Sequence, residues 1–110
     1  INNLSEALEA NRRSLGDLRA FEKTDVDFHY VLAVMTHNPI FMAIHAALAE
    51  WLLEQRRTTL ADGIDVKAYE AHRRIFKAIA ARDPDKAEKE MRQHLQFVAR
   101  RYTELVERQS

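Results

Sequence analysis

Residues 18–39 read LRAFEKTDVDFHYVLAVMTHNP. Phe21, Phe28 and Leu32 recur at the spacing of one helix side, not at the alternation of a strand. Asp25 and His29 fall on that same apolar side, because four residues are nearly one helical turn. Asp17, just before the stretch, is placed to cap it by accepting free backbone N–H groups. Thr36-His37-Asn38-Pro39 breaks it. The spacing predicts a helix over 18–36 with two polar groups turned inward.

Working outward, four further helices are predicted. Leu4, Leu8 and Leu15 mark one over 2–15, ended by Gly16. Asn38 as N-cap and Pro39 as first residue open another over 39–57, with Ile40, Ile44, Leu48, Trp51 and Leu52 apolar. Ala61-Asp62-Gly63 is a loop, and Asp65 is expected to cap a helix over 66–81. Asp83-Pro84 repeats the Asn38-Pro39 device and starts a long helix over 84–108. Its stripe is Ala87, Met91, Leu95, Val98, Tyr102 and Leu105. No strand pattern competes, so the expected fold is all-α, an antiparallel helical bundle.

Composition agrees. The 110 residues suit one domain. Two Gly and two Pro are few, whereas sheet turns consume both. Seventeen basic residues balance seventeen acidic ones. A domain that grips nucleic acid usually has a basic excess, so direct DNA binding gains no support. The absence of Cys excludes disulfides and thiolate metal sites. No apolar run nears the ~20 residues of a membrane span, and no signal peptide is visible. The chain opens with Ile and reads as cut from something longer.

The inward polar groups carry the chemistry. Asp25 and His29 can point at one spot. His72 lies among Ala68, Ile75 and Ile79, and His94 beside Met91, Leu95 and Val98. Three helices thus each turn a His toward the core, and one adds a carboxylate. Three imidazoles and one carboxylate suit a divalent cation, Zn²⁺ first and Ni²⁺ or Mn²⁺ next. The alternative is a set of hydrogen-bonded core histidines, with Asp25 and His29 only an i,i+4 pair. Spacing within each helix does not establish convergence between helices. His37 reads as a turn or surface residue and His45 as a packing residue; either could touch a ligand.

Several runs carry a resemblance. Asp25-Val26-Asp27-Phe28-His29 resembles the D-x-x-F-H signature of the FCD domain, the C-terminal effector domain of the FadR subfamily of GntR transcription regulators. Asn38-Pro39 resembles the N-P that follows the same helix there. His72 with Ile75, Ala78 and Ile79 is similar to its H-x-x-I-x-x-A-I. Asp83, Ala87, Met91, His94 and Leu95 resemble its D-x-x-x-A-x-x-x-M-x-x-H-L. The likeness runs in order from about residue 4 to 106.

The resemblance implies that Asp25, His29, His72 and His94 hold a divalent metal with positions left for water or an organic acid. It also implies a carboxylate effector, a homodimer, a cytoplasmic location, and DNA contact only through a winged-helix domain that this chain does not include. Leu8-Glu9-Ala10-Asn11, Ser14-Leu15 and Asn38 to His45 are similar to the branch that represses sialic-acid catabolism, which points to N-acetylneuraminate or a related sugar acid. The family's effector-binding Arg comes from a first helix that reads as missing or shortened here. Asn38, His45 and Arg12 are the candidate effector contacts, while Arg13, Arg56 and Arg57 read as solvated or helix-end cations.

Two other classes compete. A three-His, one-Asp site with a water could activate a nucleophile in a hydrolytic or isomerising enzyme. However, Asp27 faces away, Glu22 and Glu70 are possible but unremarkable general bases, and no Glu-x-x-His pairs of a di-metal oxidase occur. A metal-free helical dimerisation module is the third class, and metal content discriminates it.

Overall fold

Each helix predicted over the described segments forms, with shifts of a residue or two at the ends. The computed structural model describes residues 2–40, 43 and 63–109, with backbone alone for Ile64, Tyr102 and residues 105–109. Four helices are bounded among the described residues: α1 (Asn2–Arg13), α2 (Leu18–Met35), α3 (Ile64–Ala80) and α4 (Pro84–Gln109). No strand occurs among the described residues. The helix expected over 39–57 lies almost wholly outside them, with Ile44, His45, Leu48, Trp51, Leu52, Arg56 and Arg57. Its start is described. Pro39, Ile40 and Ala43 are helical, and Asn38 Oδ1 accepts the Ile40 N–H at 3.0 Å.

Local chemistry sets the turns. Gly16 takes a left-handed φ of 90°, which a Cβ would disfavour. Asp17 then caps α2 by accepting the Ala20 N–H at 3.2 Å. Asp83 accepts the Lys86 N–H at 3.0 Å, and Pro84 is the first residue of α4. His37 sits exposed in the turn after α2 with φ 56°.

Two expectations are corrected. Asp65 is not the cap of α3. Gly63 takes that position with no side-chain cap bond, and Asp65 lies inside the first turn. Its carboxylate is used between helices instead: Oδ2 accepts the Gly16 N–H at 3.0 Å, tying the α1–α2 turn to the start of α3. Leu95 is not on the inner face of α4 but 54% exposed. The inward register runs through Ala87, Glu90, Met91, His94, Phe97, Val98 and Arg101, with His94 buried and the others half-buried. With His94 turned inward, its neighbour is rotated about 100° away.

Among the described residues the helices form two hairpins. α1 packs along α2 and α3 along α4; α1 also leans on α3, while α2 meets α3 only sparingly. Leu4, Phe21, Phe28, Ala33, Ala68, Ile75 and Ala78 are almost fully buried. Burying each of the two Phe rings stabilises by roughly 1.5–3 kcal/mol. These apolar groups surround the seam where α2, α3 and α4 bring their polar residues together.

Candidate metal centre

Each inward polar residue sits where the apolar register of its helix puts it. On α2, Phe21, Phe28 and Ala33 are buried, and Asp25 is buried between them, 3% exposed. His29 follows one turn later and Asp27 faces solvent. On α3, His72 is fully buried between Ala68 and Ile75, and on α4 His94 is buried.

The three imidazoles converge. His29, His72 and His94 each offer a ring nitrogen, and these atoms lie within 4.8 Å of one another. Asp25 joins them: its Oδ1 is 3.4 Å from His29 Nε2 and 3.2 Å from His72 Nε2. Neither approach has hydrogen-bond geometry, and the Nε2 of His29 is buried with no hydrogen-bond partner. Two donors bound tetrahedrally at ~2.0–2.1 Å from one Zn²⁺ stand about 3.4 Å apart. The Asp–His separations match that edge better than they match a charge-assisted hydrogen bond of about 2.7–2.9 Å. The donor set thus fits a borderline divalent cation.

Aromatic packing orients the rings. Phe28 stacks on His72 with centroids 4.6 Å apart, and Phe21 lies nearly parallel to it at 6.5 Å. His72 stands edge-on to both His29 and His94. Its Nδ1 lies 2.8 Å from Asn11 Oδ1.

Asn11 is the residue that sequence reasoning passed over. It is fully buried on α1, at the position between Leu8 and Leu15 on the apolar side. A polar residue in that register was the available signal. Glu22 is likewise buried. Arg101, two turns beyond His94 on the same face of α4, is only 17% exposed; Glu104 is 3.8 Å from its Nη1, and its buried Nε makes no hydrogen bond.

The effector candidates fare differently. Arg12 is about half exposed and donates from Nε to Glu9 at 2.9 Å. That bond holds the Glu9 carboxyl below, and the Arg12 guanidinium above, their ordinary ranges. Arg13 also faces solvent beside Glu9. Asn38 is exposed and engaged in its cap. His45 lies outside the described residues. A groove of about 360 Å³ between α3 and α4 is lined by Lys67, Glu70, Arg74, His94 and Phe97 among others; of the four converging residues it reaches His94 alone.

Comparison with known proteins adds the following. The family described as the FCD domain matches residues 1–97. The chain is 43% identical over 102 residues to the "HTH-type transcriptional repressor NanR" of Escherichia coli K12, covering 90% of this chain and 39% of that protein. The same identity and coverage hold for the proteins of that name in Shigella flexneri and Klebsiella aerogenes. The chain therefore spans about two fifths of the length of the curated relatives it matches.

Proposed function

The chain belongs to the FCD domain family, and from that premise we propose that it is the effector-sensing domain of a GntR-family transcription regulator, not an enzyme. The observation that carries the reading is the convergence of Asp25, His29, His72 and His94 in a chain whose relatives are named transcriptional repressors. In the regulator these four residues hold a divalent metal, most simply Zn²⁺. The metal would supply a Lewis-acidic seat for a carboxylate oxygen.

This chain's own residues do the rest. Asp25 offsets the charge of the ion, and Phe21 and Phe28 exclude water from the His72 side. Arg101 offers guanidinium donors to a second acidic or hydroxyl group of the effector, roughly 10 Å along α4 from His94. The effector class is a sugar acid, with N-acetylneuraminate first, since that branch of the family is the one the sequence resembles. The protein acts as a homodimer in the cytoplasm and touches DNA through a further domain. No helix among the described residues is long and apolar enough to cross a membrane. Effector binding shifts the balance between two arrangements of the dimer, by differential affinity for them.

A thermal-melt series tests this. Ligands that bind only the folded state raise the melting point. We expect N-acetylneuraminate or a related sugar acid to raise it in zinc-loaded protein and not after chelation. An equal rise with and without metal, or none with any sugar acid, would count against the reading.

A further inference from the structure

Asn11 belongs to none of the metal-ligating positions, yet it touches His72 from the side away from Asp25. The hydrogen-bond partners of its neighbours favour one orientation of its amide. The Ser14 hydroxyl lies 2.7 Å from the Asn11 backbone carbonyl, which can only accept, so the Ser14 proton is committed there. The Thr24 hydroxyl lies 2.8 Å from Ser14 Oγ and 3.1 Å from the Ala20 and Phe21 carbonyls. Its single proton goes to one of these acceptors. With its proton on a helix carbonyl, Thr24 faces Asn11 with a lone pair. The Asn11 group 3.0 Å away is then the Nδ2 donor, and Oδ1 faces His72 Nδ1 at 2.8 Å. An acceptor there requires the proton on Nδ1. The opposite orientation would put Asn11 Nδ2 against His72 Nδ1 and draw the Thr24 proton to Oδ1, away from the Ala20 and Phe21 carbonyls.

We infer that Asn11 is a positioning residue of the metal centre: locked by Thr24 and Ser14, it holds His72 as the Nδ1–H tautomer and so turns the Nε2 lone pair toward Asp25. Hydrogen bonds to the far nitrogen of a ligating imidazole fix its tautomer and raise its basicity. The inference rests on the metal reading for its purpose, but the tautomer is a property of the metal-free protein. α1, which supplies no metal ligand, becomes part of the centre through one amide.

Two readouts test it. Zinc affinity is measured by competition with a chromophoric chelator for the wild type, Asn11→Leu, Asn11→Asp and Thr24→Val. The His72 tautomer is read in apo protein from long-range ¹H–¹⁵N spectra. Asn11→Leu should bind zinc about 10–100-fold more weakly. Asn11→Asp, which still accepts from Nδ1–H, should recover most of that loss. Thr24→Val, which removes the lock and leaves Asn11 in place, should fall between. Apo wild type should show Nδ1 of His72 protonated. Unchanged zinc affinity in Asn11→Leu and Thr24→Val, or a protonated Nε2 in apo wild type, overturns the inference. Should Asn11→Leu not fold, the Thr24→Val affinity and the wild-type spectrum still decide it. A wild type that takes up no zinc overturns the metal reading itself, and the apo spectrum separates that failure from one of Asn11 alone.

Discussion

His29 and His94 stand on different helices, yet their rings are parallel to within 1° with centroids 5.4 Å apart. His72 closes the third side edge-on. A ring nitrogen of each lies within 4.8 Å of the other two. We expect chelation of zinc-loaded protein to lower the melting point, and zinc to restore it. Free zinc at 100 times Kd adds about 2.7 kcal/mol, upwards of about 10 °C for a domain of this size. A melt indifferent to both treatments would sink the metal reading.

Asp25→Asn keeps the shape of the side chain and removes its charge. Zinc affinity should fall by more than the roughly 10–100-fold that loss of an outer hydrogen-bond partner costs. Equilibrium dialysis against a zinc buffer measures it. An Asp25→Asn variant that binds zinc like the wild type would take Asp25 out of the ligand set.

Arg101→Leu keeps the apolar stem of a largely buried residue and removes the guanidinium. Affinity for the acidic effector should drop at least about tenfold, some 1.4 kcal/mol, with zinc content unchanged. Calorimetric titration of zinc-loaded protein reads both. Unaltered effector affinity would remove Arg101 from the proposed contacts.

Asp65→Ala should destabilise the fold by about 1 kcal/mol, because the Gly16 N–H loses its partner. Gly16→Ala should cost about 1–2 kcal/mol through its left-handed φ, although an added Cβ would meet no atom within 4 Å. Denaturant unfolding compares both variants with the wild type. A Gly16→Ala protein as stable as the parent would contradict the strain argument.

Glu9 titrates below the usual carboxylate range because Arg12 donates to it. A depressed folded-state pKa means a contribution present above the unfolded value and lost as pH falls through the folded one. Both side chains are about half exposed, so Arg12→Ala should leave stability nearly unchanged and move the Glu9 pKa up toward its ordinary value, with Arg13 still beside it. Carbon-detected NMR of the Glu9 carboxyl checks the shift. A Glu9 titration unchanged by Arg12→Ala would refute that cause.

The bundle was legible because its signals are local. Asp17, Asn38 and Asp83 announce helix starts through bonds made within three residues. The apolar registers of α2 and α3 turned Asp25, His29 and His72 inward, as a 3.6-residue period requires. Tertiary use of a local residue was not legible. Asp65 looked like a cap, and only the approach of the α1–α2 turn gives its carboxylate a distant partner. Leu95 belonged by type to the core, but His94 and Phe97 set the rotation of α4. Asn11 was hidden because its worth depends on His72, a neighbour that sequence spacing on one helix cannot reveal.

The sparing contact between α2 and α3 has its own consequence. Asp25 and His29 lie on one hairpin, His72 and His94 on the other. An ion shared by all four is a cross-link, closing long stretches of chain in the way a disulfide does. The two hairpins, already joined by α1 on α3 and by Asp65 at Gly16, would gain a small, exchangeable clasp at the α2 seam, and part of the domain's cohesion would follow the free concentration of that ion.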